Sequence, residues 1–331
     1  EALPYLERAT MLDPQLERAW FSLGRALALL GRGKEADTAF EKCFALSPER
    51  RDMAFAAEHQ KEGRIEEAER IYRRVLRQNP RNVDALRLLA QIAGKSGHTD
   101  DAESMLQEAI RVAPDFLLAI LDLGQLHKEQ DCFAEAITCF ERVISLEPSQ
   151  VQAHFQRAAT LARASFTPEA ADGYRRCLEL RPRHAGAMIG LGHTLKTIGD
   201  YEGAVAAYNA CIRLTPDSGE SYWSLANLKT YRFDDPAIEQ MQRQLELVAL
   251  NETSRVNFLF ALGKAFEDRK DYTKAWRYYE EGNATQRMLV SYDPVQTETV
   301  NDELIAFFTA DFFRATAGCG HPDPAPIFIL G

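Results

Sequence analysis

Histidine and cysteine can bind metals and take part in nucleophilic catalysis, and this chain of 331 residues has seven histidines and six cysteines. The cysteines form no C-x-x-C pair: Cys43, Cys132, Cys139, Cys177, Cys211 and Cys319. His127 and Cys132 are only five residues apart, but two isolated ligands rarely form a metal site. The sequence has no nucleophile–base pair and no phosphate-loop motif. We therefore expect reduced thiols, no bound metal and no catalytic residue in this chain.

A second kind of chemistry is hydrogen bonding along a surface. Side chains that donate or accept hydrogen bonds recur at one position of a repeated pattern: Arg25, Gln91, Gln125, His193 and Asn227. One further repeat has Ala159 at this position. An amide both donates and accepts, so such a series can bind the backbone of an extended peptide. Aromatic side chains accompany it: Phe21, Phe155, Trp223 and Tyr231. We expect these residues to form a peptide-binding groove. The alternative interpretation is that a solvated helix face is polar whatever it binds.

Prolines reveal the elements that would position these residues. Seven of them follow helical patterns at intervals of 34, 32, 34, 34, 34 and 34 residues: Pro14, Pro48, Pro80, Pro114, Pro148, Pro182 and Pro216. A period of 34 is typical of the tetratricopeptide repeat (TPR), two antiparallel helices joined by a turn. The series would lie on the first helices of stacked hairpins. The sequence predicts an all-α fold, a right-handed α-solenoid.

Each repeat places residue types where a helical hairpin needs them. Small residues such as Gly24 and Ala36 are expected where the two helices approach most closely. We expect aromatic residues to fill the space between neighbouring hairpins: Phe40, Tyr72, Phe140, Tyr174 and Tyr208. The unit at 51–82 is two residues short, in its first helix or the turn. The hairpin beginning at Gly219 has Ile238 where an alanine is expected.

The repeat pattern predicts the following organisation. Residues 1–16 form a partial TPR with the second helix only, 17–250 the TPR array, and 251–292 a last TPR-like hairpin. Residues 293–325 form a connecting helix, roughly Gln296–Arg314, and a loop. The apolar run 326–331 is the truncated first β-strand of another domain. Both ends therefore suggest a piece of a longer protein.

Composition narrows the classes of partner. The chain is 46% hydrophobic and 27% charged, with a formal net charge of −10. An acidic protein has no general attraction for nucleic acid or for anionic membranes, so we expect neither as a partner. No apolar run approaches membrane-spanning length, and we expect a cytoplasmic location.

The C-terminal third resembles the TPR-linked sulfotransferases of bacteria. The similar segments are WSLANLKTYRF at Trp223–Phe233, FALGKAFEDRKDYTKAW at Phe260–Trp276, Glu281–Asn283, and PIFILG at Pro326–Gly331. In that family the last segment leads into a loop, typically continuing Pro-Arg-Ser-Gly, that binds the 5′-phosphosulfate of the donor PAPS. The resemblance implies that Gly331 is the first glycine of this loop and that the catalytic residues follow it.

Two functions follow as hypotheses. The first is a TPR scaffold that recruits a peptide or protein substrate for a C-terminal PAPS-dependent sulfotransferase domain absent from this sequence. We expect the repeats also to contact that domain. The second is a free-standing TPR adaptor that assembles other proteins. A TPR-linked glycosyltransferase fits the C-terminal segments less well.

Overall fold

The computed structural model describes residues 2–247 and 250–319 of the chain. Over these residues it contains nineteen α-helices and no strand, which confirms the predicted all-α class. The predicted strand at 326–331, with Gly331, lies outside the described residues. The chain divides into two compact units, Glu1–Leu214 and Thr215–Gly331, and each is considered by itself.

The first unit consists of one helix followed by six helical hairpins. Its helices are α1 (Leu3–Leu12), α2 (Glu17–Leu29), α3 (Gly33–Leu46), α4 (Pro48–Lys61), α5 (Ile65–Gln78), α6 (Val83–Lys95), α7 (Thr99–Val112), α8 (Leu117–Glu129), α9 (Phe133–Leu146), α10 (Val151–Arg163), α11 (Thr167–Leu180), α12 (Ala185–Thr197) and α13 (Tyr201–Leu214). The closest packing is within the hairpins, between α2 and α3 and so on to α12 and α13, and each hairpin also packs against the next.

The turn inside each hairpin has three residues, and one of them adopts a left-handed backbone conformation. Gly31, Gly63, Gly97 and Gly199 supply it in four hairpins. Asp131 (φ 60°) and Ser165 (φ 64°) supply it in the other two, at the same repeat position. A side chain in this region is strained where glycine is not.

Where the first helix has a glycine at the small-residue position, that glycine lies against the aromatic residue of its own hairpin. A Cβ added to Gly24 would come 2.7 Å from Phe40 Cε1, and one on Gly192 would come 2.4 Å from Tyr208 Cε1. The predicted close approach is therefore confirmed. The same rings also reach the next hairpin, since a Cβ on Gly190 would come 2.4 Å from Tyr174 Cζ.

The unit at 51–82 is two residues short because its connection to the preceding hairpin is short. The deletion does not lie in its first helix or in the turn within the hairpin. The other connections between hairpins of this unit have four residues, whereas Ser47 alone separates α3 from α4. Pro48 begins α4 directly because its fixed φ suits the first helical position. The Ser47 hydroxyl accepts a hydrogen bond from the Arg50 N–H at 3.4 Å and so caps α4.

Three cysteines occupy one repeated buried position, as the sequence predicts. Cys43, Cys177 and Cys211 are each fully buried. Burial raises the pKa of the Cys43 and Cys177 thiols, so both stay protonated at neutral pH. These residues behave as small apolar side chains.

The second unit is less regular. Its helices are α14 (Gly219–Ala226), α15 (Asp235–Leu245), α16 (Glu252–Asp268), α17 (Tyr272–Leu289), α18 (Pro294–Phe307) and α19 (Ala310–Ala315). Helices α16 and α17 form a close hairpin. By contrast, α14 and α15 pack against α16 rather than closely against each other, so the hairpin predicted at Gly219 is wrong. Ile238, buried at the position of the expected alanine, is too large for a close approach of two helices.

The single helix predicted near 296–314 is two helices. Helix α18 ends at Phe307, and the Thr309 hydroxyl accepts a hydrogen bond from the Phe312 N–H at 3.2 Å to begin α19. A threonine side chain that caps a new helix competes with continuation of the old one. Three apolar side chains of α18 are about half exposed: Val300, Leu304 and Phe307.

Candidate functional site

The predicted groove residues of the first unit lie on its first helices. Arg25 on α2 and His193 on α12 are exposed. Gln91 on α6, Gln125 on α8 and Ala159 on α10 are partly buried. The structure therefore separates the members of the series into exposed ends and a more enclosed centre.

Asp122 connects α6 to α8 at this centre. Its Oδ2 accepts a hydrogen bond from Gln91 Nε2 at 2.7 Å and forms an ion pair with Arg87 Nη1 at 3.0 Å. The Arg87 side chain is only 15% exposed, so its buried positive charge is stabilised by the Asp122 carboxylate rather than by water. Arg87 Nε is buried and has no hydrogen-bond partner among the described residues.

Gln125 is fixed by its neighbour one helical turn away. Its Nε2 donates to Glu129 Oε1 at 2.6 Å. This contact sets the orientation of the amide, because the flipped amide would place its oxygen against the carboxylate oxygen, and both are acceptors. Gln125 Oε1 is then a buried acceptor without a donor among the described residues. An unsatisfied buried polar atom costs about 1–3 kcal/mol relative to a hydrogen-bonded one.

The two glutamines line one cavity of about 240 Å³, which opens to solvent. Buried apolar side chains form its floor: Ala90, Ala102, Leu106 and Leu126. Polar and charged side chains form its mouth: Gln91, Lys95, Asp122, Gln125 and Glu129. Gly94 lines it between floor and mouth. An apolar floor with a few converging polar groups is the usual form of a ligand-binding pocket.

This cavity exists because one aromatic ring is absent from the repeat pattern. The five other hairpins of the unit carry an aromatic residue at the position of Leu106: Phe40, Tyr72, Phe140, Tyr174 and Tyr208. In the preceding hairpin the Tyr72 hydroxyl donates to Gln60 Oε1 at 3.1 Å, and Gly94 is the counterpart of Gln60. Leu106 and Gly94 therefore leave empty a space that a ring and an amide fill one repeat earlier.

A second polar contact connects α8 to α10. Lys128 Nζ donates to Gln156 Oε1 at 2.7 Å, and Arg163 donates to the Lys128 carbonyl at 3.1 Å. Burial is the main cause that lowers the pKa of Lys128, and the nearby Arg163 cation lowers it further. The Glu129 carboxylate opposes that shift. This contact is therefore cationic, whereas the neighbouring contact at Asp122 pairs opposite charges.

The predicted aromatic residues of this unit are engaged by their neighbours. Phe21 lies edge-on to Phe40 at 5.9 Å and below the Arg50 guanidinium at 5.1 Å. Phe155 packs between Tyr174 and His184. Both are partly buried.

His193 is held at its base by the ring beneath it. Its Nδ1 lies 2.9 Å from the Tyr208 hydroxyl, and the two rings meet edge to face at 5.5 Å. Tyr208 is fully buried, which positions the exposed imidazole firmly.

The remaining predicted residues belong to the second unit. Trp223 lies 5.4 Å from the ring of Phe260, and Tyr231 lies edge-on to Phe233 at 5.0 Å. Asn227 is exposed just after the end of α14. These three therefore belong to a different unit from the cavity described above.

Sequence reasoning missed Asp122, Arg87 and Glu129. It considered one repeat position, the residue after the small one. Asp122 lies three residues before Gln125 and Glu129 four residues after it, so all three share one helix face. This spacing is the signal that would have found Asp122 and Glu129.

Three stretches of the chain match tetratricopeptide families. Residues 8–116 match the TPR domain of cytochrome c-type biogenesis protein H, and residues 121–185 and 185–218 match general tetratricopeptide-repeat models. A relative in Aquifex aeolicus, described only as an uncharacterized protein, is 30% identical over 104 residues. That match covers 31% of this chain and 14% of the relative.

Three solved structures are similar to part of the chain. PilF of Pseudomonas aeruginosa is similar with a TM-score of 0.51 at 21% identity, over 62% of this chain and 94% of PilF. YrrB, described as a TPR protein with an unusual peptide-binding site, has a TM-score of 0.45 at 21% identity, over 55% of this chain and 95% of YrrB. MamA of Desulfovibrio magneticus has a TM-score of 0.47 at 14% identity, over 51% and 96%. At these identities the likeness concerns the fold alone. The family matches, the helical hairpins and the likeness to PilF together show that the first unit is an α-solenoid of tetratricopeptide repeats.

Among the described residues, none of the helices has the length and apolar character needed to cross a membrane.

Proposed function

We propose that this tetratricopeptide-repeat solenoid is a protein-interaction scaffold that binds an extended peptide segment along the first helices of its first unit. The observation that carries the proposal is the position of Gln91 and Gln125. They are consecutive members of the predicted series, and they line one open cavity together.

The polar groups at this cavity suit a peptide backbone. Gln125 lines the cavity, and its Oε1 is a buried acceptor without a donor among the described residues. A peptide group presents an N–H donor, so a bound strand can supply the missing partner of Gln125 Oε1. Because unsatisfied groups are costly in the free protein, each bond made on binding favours the complex.

The test is selection of binding peptides from a random library displayed on phage, followed by affinity measurement. The double variant Gln91→Ala, Gln125→Ala should bind the selected peptides about tenfold more weakly, which corresponds to about 1.4 kcal/mol. The matched control is Gln107→Ala, which removes an exposed glutamine of α7. Equal affinity of the double variant and this control would exclude the first-helix face as the binding site.

The scaffold's proposed role in the cell is to recruit a peptide or protein substrate to a PAPS-dependent sulfotransferase domain following residue 331. Its support is the resemblance of the segments between Trp223 and Gly331 to TPR-linked sulfotransferases. In this proposal Gly331 begins the loop that binds the phosphosulfate of PAPS, through backbone N–H groups of the kind that hold anions at helix N-termini.

The two roles differ in what the longer protein does. A recruiting arm predicts that the full-length protein transfers sulfate from PAPS to a selected peptide, and that the double glutamine variant raises KM with little change in kcat. If the coding sequence ends after Gly331, or if PAPS is not bound, the free-standing adaptor is the role that fits the same groove.

A further inference from the structure

We propose that the cavity of α6, α7 and α8 receives a tyrosine side chain from the bound peptide. This inference rests on the proposed function, because it names a residue that the same groove recognises. The tyrosine would take the place of the aromatic ring that this hairpin lacks.

The shape of the cavity follows from the repeat. In the neighbouring hairpins a ring packs against the small residue of its own first helix, as Phe140 does against Gly124. In this hairpin the equivalent small residue, Ala90, and the shorter Leu106 both line the empty space. The backbone at this position accommodates rings throughout the unit, so a ring supplied by a ligand fits the same geometry.

The hydroxyl of such a tyrosine has acceptors within the mouth. Two tyrosines at this position donate to a side chain four residues after the small one: Tyr72 to Gln60, and Tyr279 to Glu267 at 2.7 Å. Gly94 cannot supply that acceptor here. Three acceptors from one face of α8 replace it: Asp122, Gln125 and Glu129.

The charges at the mouth disfavour the other long side chains. A lysine or arginine would be repelled by the ammonium of Lys95, which also lines the cavity. Of the two carboxylates there, Asp122 is already paired with Arg87, so only Glu129 would attract the added cation. A carboxylate would meet Asp122 and Glu129. A neutral ring with one donor avoids both repulsions, and its apolar part covers the buried floor.

The direct test uses p-cresol, which is the tyrosine side chain alone. Titration into the ¹⁵N-labelled chain should give saturable chemical-shift changes at the amides of Ala90, Gly94 and Leu126. Toluene lacks the hydroxyl, and n-butylammonium mimics lysine. Each should bind with an affinity at least about tenfold lower than that of p-cresol. Stronger binding of n-butylammonium, or saturable changes confined to other residues, would overturn the inference.

A filling variant identifies the cavity as the site. Leu106→Tyr should place a ring in the space, as the pairs Ala56 with Tyr72 and Ala158 with Tyr174 already do, and it should abolish p-cresol binding. Leu106→Met, which conserves volume, should keep it. If Leu106→Tyr does not fold, Gly94→Leu fills the same space, because a Cβ there makes only ordinary contacts of 3.7 and 3.8 Å. Unchanged p-cresol binding in a folded filling variant would contradict the inference.

Peptide selection separates this inference from the proposed function. Selected peptides should share a tyrosine. Leu106→Tyr should lower the affinity for these peptides at least tenfold, which corresponds to about 1.4 kcal/mol. Peptides that bind the first-helix face without a shared tyrosine would refute the pocket and leave the scaffold standing. Binding of p-cresol in the cavity without any selected peptide would support the pocket and refute the scaffold.

Discussion

Two consecutive hairpins of the first unit solve the same packing problem differently. In the α4–α5 hairpin the buried ring of Tyr72 fills the interior, and its hydroxyl donates to Gln60. In the α6–α7 hairpin Leu106 and Gly94 occupy the equivalent positions and leave a cavity of about 240 Å³. The fold tolerates the loss because the helices keep their other contacts.

The difference shows where a repeat protein can carry a binding site. The repeat fixes the backbone, so a smaller side chain at one core position produces a pocket of predictable shape. The surrounding polar residues then decide what the pocket accepts. Function therefore arises from a local departure from the consensus, supported by regular hairpins on both sides.

The largest expected effect comes from making the filled hairpin resemble the empty one. Tyr72→Leu removes most of a fully buried ring and its hydrogen bond to Gln60. It should lower the free energy of unfolding by about 3 kcal/mol in urea denaturation. Tyr5→Leu, at a residue that is 78% exposed, is the control. Equal stability of the two variants would mean that the ring contributes nothing to the α4–α5 hairpin.

A smaller effect is expected from the polar connection at the mouth of the cavity. Asp122→Asn leaves the mostly buried Arg87 guanidinium without a carboxylate, and it should cost about 2 kcal/mol of unfolding free energy. Asp37→Asn, at an exposed position of α3, should change stability little. An unaffected Asp122→Asn protein would show that α6 and α8 are held together by apolar packing alone.

Alkaline pH distinguishes the two hairpins, because only the filled one has an ionisable hydroxyl. Burial raises the pKa of Tyr72 to about 12, against about 10 for a tyrosine in an unfolded chain. Stability from this group is present below about pH 10 and is lost as pH rises toward 12. Tyr72→Phe should therefore flatten the fall in stability over this range. Parallel pH curves for wild type and Tyr72→Phe would contradict the assignment.

The smallest effect concerns the helix that borders the empty space. Gly94→Ala adds a methyl group in ordinary contact, 3.7 Å from Leu126 Cδ1, and reduces the entropy of the unfolded chain. It should raise the free energy of unfolding by about 0.5–1 kcal/mol. A loss of stability on urea denaturation would show that the space around Gly94 is smaller than described.

The proline period and the small residues predict the hairpins of the first unit well, because local helix signals and long-range packing agree there. The second unit is harder, because Ile238 changes how α14 and α15 pack without weakening either helix signal. The break at Thr309 was also missed, since the apolar pattern continues through it.

The site was only partly predictable. Gln91 and Gln125 follow from the repeat, but their shared cavity depends on the absence of a ring at Leu106. A leucine in a core position draws no notice in a single sequence. Asp122 was missed because helix-face neighbours were not considered together with the repeat position.

The most direct test of the central claim is a crystal structure of the chain bound to a peptide selected from a random library. The account predicts a peptide strand along α6, α8 and α10, with an aromatic ring between Ala90 and Leu126 and its hydroxyl near Gln125 or Glu129. A peptide bound elsewhere, with this cavity holding only water, would contradict it.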